Sequence, residues 1–201
     1  MTRPLAVVDY GVGNLRSAQK AFETLGQPAE ITSDAERIAA APAVVLPGQG
    51  AFGTCMENLA AAGLVEPVRQ AARSGRPFLG ICVGMQWMLA SSEEAPDVLG
   101  LGLWPGECSR FPAAVKSPHV GWNSLEISAR SSRLLRGVPA GSFVYFTHSY
   151  RVPLVAATVA ACDYGGGFSA AVEQDNIFGV QFHPEKSGPA GLKILENFRD
   201  L

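Results

Sequence analysis

The sequence predicts an α/β protein: an open, mostly parallel sheet with helices on both faces and an antiparallel extension. Three observations predict it. Short, continuously apolar runs in the first half end in glycine- or proline-bearing turns; those runs alternate with stretches of helical period; and from Trp104 onward the pattern becomes strand-rich. With 201 residues, 47% of them hydrophobic and 17% charged, there is mass for one substantial core, so 1–201 reads as a single domain.

The elements follow in order. Leu5–Asp9 is a short apolar strand closed by Tyr10-Gly11-Val12-Gly13, after which Asn14 is placed to cap a helix reaching about Leu25, with Leu15, Ala18, Phe22 and Leu25 on one face. Ala43–Leu46 reads as a strand ending in Pro47-Gly48-Gln49-Gly50. Helical stretches Cys55–Ala62 and Val65–Ser74 then lead to the strand Phe78–Ile81. The second half carries strands at Phe143–Thr147, Val155–Cys162, Ala170–Glu173 and Ile177–Phe182, and a final helix Ala190–Leu201. Gly165-Gly166-Gly167 reads as a turn. Ligands of such sheets bind at the carboxyl ends of the strands, so the loops Gly11–Asn14, Pro47–Phe52 and Cys82–Gln86 are expected to share one site.

Composition excludes several classes. A net charge of -2 with no basic stripe argues against nucleic acid as a partner. The segment Met1–Asp9 has one basic residue and too short an apolar run for a secretory leader, and no stretch has the length of a membrane span, so a cytoplasmic protein is expected. Cys55, Cys82, Cys108 and Cys162 form no C-x-x-C pair, which suits free thiols in a reducing compartment. His119, His148 and His183 are far apart and at no zinc-ligand spacing, so neither metal nor cofactor is expected. Tyr10–Asn14 imitates a dinucleotide-binding turn, but Arg16 stands where the third glycine of G-x-G-x-x-G belongs.

The informative stretch is Pro77–Gln86, where Cys82 sits between Gly80 and Gly84 at a strand-to-helix junction. G-x-C-x-G has the form of a nucleophile elbow, with an exposed sulfur and a following helix whose dipole favours thiolate. On local sequence alone, a buried small hydrophobe stands beside that reading. A thiol nucleophile needs a base. His183, just beyond the strand Ile177–Phe182, emerges on the same sheet edge, and Glu185 lies two residues on, across Pro184, to orient it. His148 and His119 lack a nearby carboxylate and are assigned to positioning or packing. An oxyanion would be held by the Val83 N–H, with a second donor from the Gly48-Gln49-Gly50 loop, for which a plain turn is the alternative.

GICVGMQ (Gly80–Gln86) and GVQFHPEKS (Gly179–Ser187) resemble the two signature segments of class I, triad-type glutamine amidotransferases. DYGVGNLRS (Asp9–Ser17), LPGQGAF (Leu46–Phe52), PHVGWN (Pro118–Asn123) and YFTHSY (Tyr145–Tyr150) narrow the likeness to the glutaminase subunits of imidazole glycerol phosphate synthases, over essentially the whole chain. The resemblance implies a flavodoxin-like sheet and hydrolysis of L-glutamine through a thioester on Cys82. It also implies a heterodimer with a cyclase subunit that receives the ammonia. It carries substrate contacts onto Gln86, His148, Ser149 and Tyr150, and partner contacts onto Asn14, Trp122, Tyr145 and Lys186. Gln49 stands where the family usually has valine, which puts the behaviour of that loop in question. The rival readings are the glutaminase of pyridoxal phosphate synthase, a cysteine peptidase or acyl hydrolase, and a catalytically silent regulatory binder.

Overall fold

The structure, a computed structural model, describes residues 3–128 and 131–201; Met1 and Thr2, where the segment read for a leader begins, lie outside them. The chain runs β1 (Leu5–Val8), α1 (Leu15–Thr24), β2 (Ala29–Thr32), α2 (Ala35–Ala40), β3 (Val44–Gly48), α3 (Phe52–Ala61), α4 (Val65–Arg73), β4 (Phe78–Cys82) and α5 (Val83–Gln86). It continues through β5 (Ser91–Ser92), β6 (Glu107–Arg110), β7 (His119–Ser124), β8 (Glu126–Ile127), β9 (Phe143–His148) and β10 (Tyr150–Arg151). It ends with β11 (Thr158–Asp163), β12 (Gly167–Gln174), β13 (Ile177–Val180), a 3-10 turn (Pro184–Lys186) and α6 (Gly188–Arg199).

The main sheet has the order β2-β1-β3-β4-β13-β12-β11-β8. Its first five strands are mutually parallel and its last three alternate antiparallel, as the sequence pattern predicts. Every residue of β1, β3 and β4 is buried, which is why their sequences show no polar alternation. The step from β1 to β2 runs opposite to the steps from β2 to β3 and β3 to β4. With right-handed crossovers, this puts α1 on one face and α2, α3 and α4 on the other. α6 joins α1 through Phe22 and Phe198, whose ring centroids are 6.1 Å apart. Strand order reverses between β1 and β3, and the crevice there opens beside the end of β4.

Several boundaries differ from the sequence reading. β2 and α2 were not anticipated: both are short, and α2 is held by Asp34, whose carboxylate accepts from the Glu36 and Arg37 N–H groups. Asn14 occupies the cap position of α1, but its side chain makes no capping bond. α3 starts at Phe52 rather than Cys55, because the Glu94 carboxylate accepts from Phe52 N at 2.8 Å. β11 begins at Thr158 rather than Val155, since a Val155–Thr158 turn precedes it. β13 stops at Val180, where the chain leaves the sheet so that His183 N donates to Tyr145 O of β9 at 2.9 Å. β7 pairs antiparallel with β9 in a separate ribbon that puts His119 opposite His148 and Trp122 opposite Tyr145.

Candidate active site

β4 delivers Cys82 to the carboxyl edge of the sheet with φ 55° and ψ −111°, a left-handed backbone at a non-glycine residue. Such a conformation costs about 1–3 kcal/mol and persists only when its surroundings enforce it. Here they do so through close approach. A Cβ on Gly84 would lie 2.0 Å from Leu46 O, one on Gly80 2.6 Å from Gly84 O, and one on Gly48 2.7 Å from Gly84 N. The glycines of the motif thus let the turn seat directly on β3. Two details correct the sequence reading. Cys82 is only 3% exposed, so the sulfur lies at the floor of a cleft rather than standing free. The helix behind it is a single turn, Val83–Gln86, too short for a strong dipole.

His183 and Glu185 come together as expected, with Nδ1 2.9 Å from Oε1 and both side chains 3% exposed. The His183 backbone is clamped by Tyr145 O and by Ser187, whose hydroxyl donates to His183 O at 2.6 Å while accepting from Tyr145 N at 3.0 Å. Burial opposes charge on this imidazole. The Cys82 sulfur and the hydrogen-bonded Glu185 carboxylate beside it override burial and raise its pKa to about 10. Nε2 is buried without a well-formed hydrogen bond: Cys82 sulfur is near enough to couple to it yet misses bonding geometry. That is common before substrate tightens a site. The imidazole therefore faces the sulfur with one nitrogen and is held by Glu185 through the other.

Cys82 opens into a cleft of about 370 Å³ lined by Gln49, Gly50, Val83, Gln86, Glu94 and the segment Thr147–Tyr150. Its loop 47–52 is tied from behind. Tyr10 donates to Pro47 O at 2.7 Å, Cys55 Sγ to Gln49 O at 3.4 Å, and Trp87 Nε1 to Phe52 O at 3.2 Å. With the Gln49 carbonyl bound to Cys55, the planar trans peptide sends the Gly50 N–H the opposite way. Gly50 lines the cleft, whereas Gly48 lies in β3 paired with Cys82 and lines a smaller void with Asn14, His183 and Glu185. Burial pushes the Cys55 thiol up and the Tyr10 phenol up further, so both are neutral donors.

Gln86, His148, Ser149 and Tyr150 all reach the cleft wall. His148, however, is engaged within the wall: Nδ1 donates to Tyr150 O at 2.9 Å and Nε2 meets His119 Nδ1 at 3.1 Å. Burial holds His148 down to about 3 and His119 to about 4, so both are neutral. Three residues that the sequence reading did not single out belong to the site. Glu94 is the acidic residue of the lining; nothing in its spacing marks it. Tyr10 and Cys55 set the loop. A fourth, Gln181, donates to Cys82 Sγ at 3.7 Å; its signal was one amide in an otherwise apolar run.

Of the residues expected at a partner surface, three cluster. Trp122 and Tyr145 pack edge to face with centroids 6.1 Å apart, and Lys186 Nζ lies 6.0 Å over the Tyr145 ring. Trp122 is 55% exposed, and Val120 (57%) and Phe143 (60%) extend the same outward face of the β7–β9 ribbon. Asn14 lies apart from them, beside Glu185. Among the described residues there is no cluster of three or more metal-ligating side chains, and no helix long and apolar enough to cross a membrane.

Residues 6–201 match the family model described as glutamine amidotransferase class-I. The chain is 49% identical over 201 residues to the imidazole glycerol phosphate synthase subunit HisH of Moorella thermoacetica, covering 99% of this chain and 95% of that protein. It is 48% identical over 206 residues to the same-named subunit of Syntrophotalea carbinolica, covering 98% of this chain and 100% of that one. Among solved structures, one described as a glutamine amidotransferase superposes with a TM-score of 0.74 at 20% identity, over 96% of this chain and 98% of that one, a likeness of fold.

Proposed function

The chain belongs to the class-I glutamine amidotransferase family, and we propose that its elbow cysteine and carboxylate-backed histidine hydrolyse L-glutamine to L-glutamate and ammonia. It is the glutamine-hydrolysing subunit of an imidazole glycerol phosphate synthase, acting in histidine biosynthesis. The observation that carries the catalytic reading is Cys82 held at positive φ at the end of β4, beside the 2.9 Å His183–Glu185 pair that follows the neighbouring strand β13.

In the reading we propose, Cys82 sulfur attacks the side-chain amide carbon of glutamine. The oxyanion that forms is held by the N–H groups of Val83 and of the Gly48-Gln49-Gly50 loop. His183 gives its proton to the departing nitrogen, which leaves as ammonia, and Cys82 remains as a glutamyl thioester. His183 then takes a proton from water as that water attacks the thioester, the carbon–sulfur bond breaks, and glutamate leaves. Glu185 orients the ring through Nδ1 and stabilises the imidazolium. The substrate's α-ammonium is matched by Glu94, the acid of the cleft, and its α-carboxylate by the N–H groups of the Ser149–Tyr150 wall. Gln86 and His148 shape that wall.

Ammonia protonated in bulk water is no nucleophile, so it is passed to the cyclase subunit of a heterodimer. The Trp122–Tyr145–Lys186 cluster, with Val120 and Phe143, is the docking face, and Asn14, beside Glu185 and apart from that cluster, is a separate contact. We place the pair in the cytoplasm; Cys55, Cys82, Cys108 and Cys162 are all free thiols. Near-identical lengths and 48–49% identity to the synthase subunits set this reading above a pyridoxal phosphate synthase glutaminase. The test is glutamate release by the purified chain, alone and with cyclase plus its nucleotide ligand. Cys82→Ala should abolish glutamine-dependent synthesis and leave ammonia-dependent synthesis by the complex intact. Loss of both activities in a folded variant, or no glutamate release by the wild-type complex, overturns the reading.

A further inference from the structure

Gln181 is fully buried, between Val180 and Phe182, in a chain segment otherwise apolar. An amide buried there is costly unless its bonds are made. They are made in a fixed direction. Tyr150 O is a carbonyl and only accepts; it takes Gln86 Nε2 at 2.8 Å, so the Gln86 amide nitrogen is identified. The same Nε2 donates to Gln181 Oε1 at 3.2 Å, which leaves Gln181 Nε2 to face Cys82 Sγ at 3.7 Å. Tyr150 O accepts a second hydrogen bond from His148 Nδ1, whose ring is held by His119, so the carbonyl is fixed from two sides and donation runs from Gln86 through Gln181 to the sulfur.

We propose that Gln181 is a catalytic hydrogen-bond donor to Cys82 sulfur, and that Gln86 keeps its N–H, rather than its oxygen, turned to that atom. The donor stabilises the thiolate before attack. It does so again when the thioester carbon–sulfur bond breaks and sulfur leaves with the electron pair, the proton of the attacking water going to His183. It also fixes the sulfur between the Val83 N–H and the imidazole. The second of these roles rests on the glutaminase reading; the contact with the thiolate does not.

The test compares wild type with Gln181→Met, which keeps the length but removes the donor, and Gln181→Glu, which puts a second anion at the sulfur. The rate of iodoacetamide alkylation, mapped to Cys82 by mass spectrometry, is followed against pH, with thermal melting as the check of folding. The titratable groups around the sulfur, His183 with Glu185, Cys55, Tyr10, His148 and the cleft's Glu94, are unchanged in both variants. The alkylation midpoint should move to higher pH in Gln181→Met and further in Gln181→Glu. Glutamine turnover in the complex should fall about ten- to hundredfold in kcat with KM little changed. An unshifted midpoint in either variant that melts like wild type overturns the proposal. A shifted midpoint in a chain whose wild-type complex releases no glutamate upholds the sulfur contact and defeats the glutaminase reading instead.

Discussion

Two buried histidine sites differ in charge: His148 lines the cleft onto which Cys82 opens, and His183 lies beside Glu185 at a smaller void next to it. His183 bonds through Nδ1 to a carboxylate and is held protonated to about pH 10; His148 bonds through Nδ1 to a carbonyl and stays neutral down to about pH 3. Both rings are buried, and burial pushes both down. What separates them is the acceptor and the second neighbour. Glu185 and the Cys82 sulfur favour imidazolium at one site. At the other, His119, Phe111, Phe146 and Phe168 surround the ring with apolar faces and an uncharged partner. In the mechanism proposed above, a histidine serves as an acid–base group through the charge placed against it, and as a strut where that charge is missing.

The most direct way to break the comparison is to give His183 a neutral acceptor. Glu185→Gln keeps the shape and the Nδ1 hydrogen bond while removing the charge, turning the site into one like His148. Turnover of glutamine should fall by about 10³–10⁴-fold, and the His183 proton should titrate well below 10 in an NMR titration. Ammonia-dependent synthesis should persist. A variant within tenfold of wild type would mean that Glu185 positions nothing the reaction needs.

How far this contrast was legible depends on sequence separation. His183 and Glu185 stand two residues apart at a strand's end, so their pairing could be read directly, and the G-x-C-x-G glycines announced the turn on which Cys82 sits. The parallel strands β1, β3 and β4 were equally visible, because strands buried on both faces are written as unbroken apolar runs, while the half-buried edge strand β2 was not. Nor was the His119–His148 pair. It depends on the antiparallel register of β7 and β9, and β7 contains Gly121 and Asn123, which mask it as a strand. Glu94 and Tyr10 escaped for the same reason, since they act on a loop 42 and 37 positions away along the chain, whereas Cys55, only 6 positions from its acceptor, read as one more buried thiol. The exposure of Cys82 was overread: an elbow guarantees an unusual backbone, while the neighbouring wall decides how much water reaches the sulfur.

The two sites should also divide the pH dependence of stability. His183 has a folded pKa raised above its unfolded value near 6.5, so its contribution is complete below that pH and is lost as pH rises through about 10. His119 and His148 have folded values lowered to about 4 and about 3, so their contribution is present above 6.5 and declines as pH falls toward those values. Melting temperature plotted against pH should therefore fall on both sides, with the alkaline limb flattened in Glu185→Gln and the acid limb untouched. An alkaline limb that survives the loss of Glu185 would assign it to other groups.

The smallest expected effect comes from the strut. His119→Phe preserves the stacking surface against Tyr164, whose centroid lies 4.0 Å away, and against Phe146 at 4.9 Å, but removes the donor that His148 Nε2 accepts. A buried acceptor left unpartnered costs about 1–3 kcal/mol, which urea denaturation would read as a lower midpoint with an unchanged slope. One histidine fewer then titrates on folding, so the acid limb should become shallower. Because His148 still reaches Tyr150 O, kcat should stay within about threefold of wild type while the site loses rigidity. A collapse of kcat comparable to that of Glu185→Gln would erase the distinction between the two sites, and would mean that the aromatic box takes part in the chemistry it now only supports.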